Sequence, residues 1–386
     1  KLTHCTTPAT MGGCRRSLLL LGFMFVIMAY YQWDMLPQKR GTTCIFEFLT
    51  VPAVCPAPGL FKQCFICIVC SSAWENVWNT LFSTSIFTDT NHILILLITA
   101  ERIHQRQELR KQSLREMCAA EEAFSEGKRS LDDMSNGELR NLIVDDKHGI
   151  IYCYIPKVGC TNWKRVFFVL KQGEPYPDPM SIEGEMVHMP NMVPLLNSFP
   201  RTEMKAKLKH YTKFLFVRDP FVRLISAYRD KMLGNQKYFY ENYGWKILRL
   251  YGNQPAPHLA GEAFASGIRP SFYNFIQYLV DPRTEMNEPF EPHWRQMHRL
   301  CHPCLIKYDF VGHQETLQED TEHILKTLML EDDIKFPPSN KNMTSTTSVL
   351  DWFRTVPLED RRKLYKIYEK DFKLFGYRKP SELLDG

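Results

Sequence analysis

Twice in this chain a short, apolar, β-prone run is followed by a loop and then by a helical pattern, first at IIYCYI (150–155) and again at KFLFV (213–217). Strand, loop and helix in succession mark an α/β domain, because neighbouring parallel strands can be joined only through a crossover, usually a helix. The fold expected is a single P-loop-like α/β domain with a central parallel sheet flanked by helices. A third run, LIKYDFVG (305–312), precedes the helix-like QETLQEDTEHILKTLML, and the amphipathic LEDRRKLYKIYEKDFKLFGY closes the domain. No repeat of 20 to 50 residues and no sustained heptad is present, which argues against solenoids and long coiled coils.

The segment ahead of this domain is different in kind. Met11 reads as the natural start, and Arg15 and Arg16 precede LLLLGFMFVIMAYYQW at 18–33. Sixteen helical residues rise about 24 Å, short against a hydrocarbon core of roughly 30 Å, but Tyr30, Tyr31 and Trp33 suit a membrane interface. No small-x-small cleavage pattern follows, so the run is expected to be an uncleaved signal anchor with residues 1–17 cytoplasmic. Residues 34–128 are expected to be a stem, and 41–100 within them reads equally as a membrane-associated insert. Within the stem FKQCFICIVC (61–70) and HILILLITA (92–100) are apolar but short, and 101–126 reads as a solvated helical spacer. The domain itself is expected over 129–386. With 24% charged and 44% hydrophobic residues and a mean hydropathy of −0.29, the chain is neither a disordered polymer nor a polytopic membrane protein.

The chemistry is concentrated after the first two strands. In IYCYIPKVGCTNWKRV (151–166) the strand ends at Pro156, and a loop carrying Lys157, Gly159 and Thr161 leads into a helix. Such a loop aims backbone N–H groups and the positive end of the helix dipole at an anion, and Lys157 adds a full charge. It is not a Walker A loop, whose lysine follows the second glycine. In KFLFVRDPFVRLISAYRDK (213–231) Arg218 lies at the carboxyl end of the strand, where a parallel sheet opens its ligand crevice, and Ser226 lies two turns along the next helix. From 201 to 231 nine Lys and Arg face three acids, +6 within 31 residues, against +5 for the whole chain. This basic stretch fits an anionic cofactor or a polyanionic acceptor.

The two stretches together resemble the paired signature of the Golgi carbohydrate sulfotransferases of chondroitin 4-O-sulfotransferase type: the 5′-phosphosulfate loop (PKVGCTNWKR here) and the 3′-phosphate strand and helix (RDPFVRLISAY here). The resemblance extends through NLIVDDKHGIIYCY, EPFEPHWRQMHRLCHPCLIKYDFVGHQETL and LYKIYEKDFKLFGY, and covers residues 106–386. Gly159 stands where the resemblance leads one to expect alanine.

The resemblance implies a Golgi membrane protein of single-pass type II, with a lumenal catalytic domain. Its donor would be 3′-phosphoadenosine 5′-phosphosulfate, used without a metal, and its acceptor chondroitin or a related glycosaminoglycan rather than nucleic acid. It implies a donor site made of Pro156, Lys157, Val158, Gly159, Cys160, Thr161 and Asn162 at the 5′ end. At the 3′-phosphate it implies Arg218, Asp219, Pro220, Phe221, Val222, Arg223, Leu224, Ile225 and Ser226. Lys157 would act on the leaving phosphate. His188 is the expected general base, in the segment where related enzymes place an acceptor-side histidine, while His293, His298, His302 and His313 are expected to be structural.

Seven of the twelve cysteines lie at or before Cys70. Cys301 and Cys304 form a lone CHPC without a second ligand pair for zinc, so disulfides, local or distant, are expected. Asn342 opens the only N-x-[ST] sequon and is the expected glycosylation site. The competing readings are a membrane-anchored glycosaminoglycan-binding protein without turnover and a nucleotide-dependent kinase. The kinase would need Mg²⁺ ligands and a true Walker A.

Overall fold

A computed structural model describes residues 84–122, 129–253, 255–338 and 346–385. Residues 95–386 form one compact unit, and the first turns of helix α1 (Thr84–Glu122) belong to residues 1–94. The anchor at 18–33, the run at 61–70 and the Asn342 sequon fall outside the described residues. Among the described residues no helix is long and apolar enough to cross a membrane.

Four strands, β1 (Leu142–Asp145), β2 (Ile150–Cys153), β3 (Thr212–Val217) and β4 (Phe310–His313), form one sheet in that order. The pairs β2–β3 and β3–β4 are parallel, but β1–β2 is antiparallel, so the sheet is mixed rather than wholly parallel. The missed strand is only four residues long and is buried throughout, so it shows no alternation. Its turn is made by Asp145, whose carboxylate accepts from the His148 backbone N–H at 3.0 Å, and by Gly149 at φ 62°.

Helix α2 (Cys160–Gln172) follows β2, α3 (Arg201–His210) precedes β3, and α4 (Pro220–Lys231) follows β3. The run expected at 305–312 joins the sheet only at Phe310, as β4; ahead of it Cys304 is tied to Cys118 by a disulfide and the Tyr308 hydroxyl donates to the Cys301 carbonyl. One core surrounds the sheet, with Tyr152, Trp163, Phe214 and Phe216 buried at its centre. A second lies under α4, where Phe221 and Tyr228 meet Phe275 of α5 (Phe272–Val280) and Phe372 of the last long helix, Leu358–Leu374.

The stretch read as a solvated spacer is instead docked. Gln107 of α1 is buried, donates to the Val311 carbonyl at 3.0 Å and accepts from the Val311 N–H at 3.0 Å. Arg106 and Arg110 each bond Asp320, which is fully buried. The side chain of Gln107 thus satisfies the open backbone of the edge strand β4 as another strand would. A charged helix looks solvated in sequence because the pattern does not show that its arginines have a buried carboxylate waiting.

Candidate active site

The first two parallel strands of the sheet, β2 and β3, end side by side, and the loops that leave them make contact. Arg218, just past β3, donates from Nη1 to the Lys157 carbonyl at 3.1 Å. Lys157 and Gly159 both adopt positive φ, 71° and 67°. For Gly159 this is free of strain, whereas a side chain there would crowd Leu317 Cδ2 at 3.3 Å, so glycine suits this departure from the expected alanine. No backbone N–H from Lys157 to Thr161 donates a well-formed hydrogen bond among the described residues. A run of open donors at a helix N-terminus is a cradle for an anion.

Lys157 Nζ lies 2.7 Å from Asp230 Oδ2, and Lys231 Nζ lies 3.3 Å from the same oxygen. Burial would raise the Asp230 pKa, but the Lys157 hydrogen bond and the two ammonium charges hold it below the usual carboxylate range. Asp230 went unremarked in the sequence, although it lies one helical turn beyond Ser226 and so on the same face of α4. Ser226 is half-buried, and its hydroxyl makes no hydrogen bond among the described residues.

Thr161 Oγ1 lies 3.0 Å from His188 Nε2, and Lys164 Nζ lies 3.2 Å from His188 Nδ1. Lys164 is buried against the Tyr154 ring at 4.2 Å. Partial burial, helped by the positive charges of Lys164 and Lys231, pushes His188 down to about 4. His188 as a residue is exposed, and the downward direction comes first from the burial its ring does have and second from its cationic neighbours.

The residues expected around the 3′-phosphate divide. Arg218 and Asp219 line a cavity of about 360 Å³ together with Phe221, Val222, Tyr377 and Arg378. Asp219 caps α4 by accepting from Phe221 and Val222, and burial, with Glu315 close by, raises its pKa to about 6. Leu224 and Ile225 are core residues. Arg223 is buried and donates to the carbonyls of Pro156 (3.0 Å), Arg295 (2.7 Å) and Pro292 (2.8 Å), so it braces the loops instead of facing a ligand. At the 5′ loop, Pro156, Val158 and Cys160 are buried, leaving Lys157, Thr161 and Asn162 as the reachable side chains. A larger cavity, about 430 Å³, opens beside Cys304 and contains no residue of either loop, so the open donors place the chemistry elsewhere.

The basic stretch 201–231 is not one surface. Lys205, Lys207 and Lys213 pair with Asp132, Asp146 and Asp309, the last two at the amino-terminal edge of the sheet, and only its later cations lie near the loop. Cys153 is bonded to Cys301 and Cys118 to Cys304, so both halves of the CHPC reach distant partners. Among the described residues no group of three or more His, Cys, Asp or Glu is placed to hold a metal ion.

The sequence model described as "Sulfotransferase family" matches residues 140–378, which span both loops. Over 294 residues the chain is 51% identical to carbohydrate sulfotransferase 12 of Mus musculus, covering 72% of this chain and 70% of that protein. It is 39% identical over 297 residues to carbohydrate sulfotransferase 11 of Rattus norvegicus, covering 76% and 81%. No solved structure matches the chain significantly. With the paired loops inside the matched region, the chain belongs to the sulfotransferase family, among its carbohydrate sulfotransferases.

Proposed function

We propose that this protein transfers a sulfuryl group from 3′-phosphoadenosine 5′-phosphosulfate to a glycosaminoglycan, at position 4 of N-acetylgalactosamine in chondroitin or desulfated dermatan. The observation that carries the reading is the run of N–H groups from Lys157 to Thr161 that donate no well-formed hydrogen bond among the described residues, joined through Arg218 to the second loop. The donor, when bound, supplies an activated sulfuryl group on a phosphate leaving group.

In this reading the open N–H groups and Thr161 hold the 5′ end, and Lys157 neutralises charge that builds on the departing phosphate oxygen. Asp230 holds the Lys157 ammonium in place. Arg218, beside the 360 Å³ cavity, grips the 3′-phosphate with Ser226. A sugar hydroxyl is a poor nucleophile and needs a proton acceptor; His188 and His293 both belong to the cluster of charges around Lys157 and Lys231.

Two disulfides support an oxidising compartment, in keeping with a Golgi membrane protein of type II, held by residues 18–33, with its catalytic domain in the lumen. Asn342 would be glycosylated there. The test is to incubate the purified protein with radiolabelled donor and a panel of desulfated glycosaminoglycans and to analyse the disaccharides. Label at position 4 of N-acetylgalactosamine is the result expected, and no transfer to any member of the panel would refute the reading.

A further inference from the structure

Glu291 and His293, a histidine expected from the sequence to be structural, form a carboxylate–imidazole pair. The Nδ1 atom of His293 lies 2.9 Å from each carboxylate oxygen of Glu291. Glu291 is itself fixed, since its Oε2 accepts the His293 backbone N–H. A carboxylate against Nδ1 selects the tautomer with the proton on that nitrogen and leaves the Nε2 lone pair free. Nε2 of His293 makes no hydrogen bond among the described residues and is not sealed from solvent, while the side chain as a whole is only 23% exposed. The ring is therefore rigid, has a defined tautomer and offers one open basic nitrogen.

The pair is coupled to Lys157 by two routes. In the first, Lys157 bonds Asp230, Asp230 bonds Lys231, and the Lys231 ammonium sits 4.7 Å over the Phe239 ring. Phe239 in turn meets the His293 ring edge to face at 5.2 Å. In the second, the single guanidinium of Arg223 holds the carbonyls of Pro156 and Pro292, the residues directly before Lys157 and His293. Fixing both residues from one buried group sets the lysine and the histidine relative to each other.

His188 is placed differently. Lys164 carries hydrogens only, so Nδ1 of His188 accepts from it, and Nε2–H then donates to Thr161. Both nitrogens are engaged on the donor side, and the Thr161 hydroxyl hydrogen is left free to point at the cradle.

We propose that His293, oriented by Glu291, is the general base of the sulfuryl transfer, and that His188 positions Thr161 on the donor side. This rests on the sulfotransferase reading above. Nε2 of His293 takes the acceptor hydroxyl proton as that oxygen bonds to sulfur. The bond from sulfur to the bridging phosphate oxygen breaks, and its electron pair leaves with the phosphate beside Lys157. The products are the sulfate ester, adenosine 3′,5′-bisphosphate and an imidazolium paired with Glu291, which returns its proton to water. The charged groups facing His293 are Glu291, Lys157 and Lys231, with His188 beyond them. Burial and the two lysines lower its pKa below 6.5 while Glu291 opposes them.

The experiment measures kcat on desulfated chondroitin at saturating donor, from pH 5 to 9, with calorimetric binding of adenosine 3′,5′-bisphosphate. His293→Ala is expected to lose about 10²- to 10⁴-fold in kcat, with bisphosphate affinity unchanged and partial rescue by added imidazole. Glu291→Gln, which keeps the shape but not the charge, should lower kcat and move the acid limb of the profile. His188→Ala should keep that limb and raise the donor KM. A His293→Ala enzyme with wild-type kcat overturns the proposal, as does loss of the acid limb in His188→Ala alone. Wild-type protein that binds the bisphosphate but sulfates no carbohydrate would overturn the sulfotransferase reading instead, so the two failures are distinct.

Discussion

Lys157 and Asp230 are held 2.7 Å apart, one on the loop after β2 and the other at the end of α4. Lys157→Ala removes the charge facing the leaving group, and kcat is expected to fall about 10²- to 10³-fold. Asp230→Asn should keep the fold and lower kcat by a smaller factor, because the ammonium stays but loses its anchor. Steady-state kinetics on the two variants, with melting temperatures as control, checks the order.

Arg218→Ala should weaken adenosine 3′,5′-bisphosphate binding by about 10- to 150-fold, the worth of a charge-assisted hydrogen bond of roughly 1.5–3 kcal/mol. Arg218→Lys should recover only part of it, since an ammonium cannot grip a phosphate bidentately. Equal calorimetric affinity in wild type and Arg218→Ala would remove this residue from the donor site.

Arg223 was grouped with the phosphate ligands in the sequence, yet all its bonds go to main-chain carbonyls. Arg223→Leu strands one buried and two part-buried acceptors and should cost about 2 kcal/mol or more, at 1–3 kcal/mol for the buried one and less for the others. The measurement is denaturant unfolding. A variant that loses donor affinity at unchanged stability would restore the ligand role.

That misassignment shows what a sequence can hold. The strand, loop and helix order located both loops, because period, length and the lysine and arginine at strand ends are local signals. Which arginine of RDPFVR meets ligand and which meets backbone depends on the carbonyls of Pro156, Pro292 and Arg295, and no pattern along α4 encodes them. The strand β1 was hidden because burial on both faces erases alternation. Glu291 and His293 lie two residues apart in plain view, but their relation to Lys157 passes through Arg223, Asp230 and Phe239.

His313, at the end of β4, is pushed down to about 3 by burial and by Arg110 and Arg106 of α1, against a partial offset from Asp320. The unfolded chain binds this proton near 6.5 and the folded chain does not. Stability from this group is therefore complete above pH 6.5 and declines as pH falls toward the folded value. His313→Asn should flatten the fall in melting temperature between pH 6.5 and 4; an unchanged slope would show that other groups govern acid unfolding.

Gln107 lends its amide to the main chain of Val311, and so a residue far upstream covers the β4 edge of the sheet. A shortened protein starting at residue 129 would keep the strand residues and both loops, yet lose the Cys118–Cys304 disulfide and bare the N–H and C=O of Val311 on the edge strand β4. Such an edge recruits strands from neighbouring molecules, so the shortened form should self-associate at concentrations where the protein with α1 stays dispersed. The upstream helix thus acts as a solubility element for the domain it precedes.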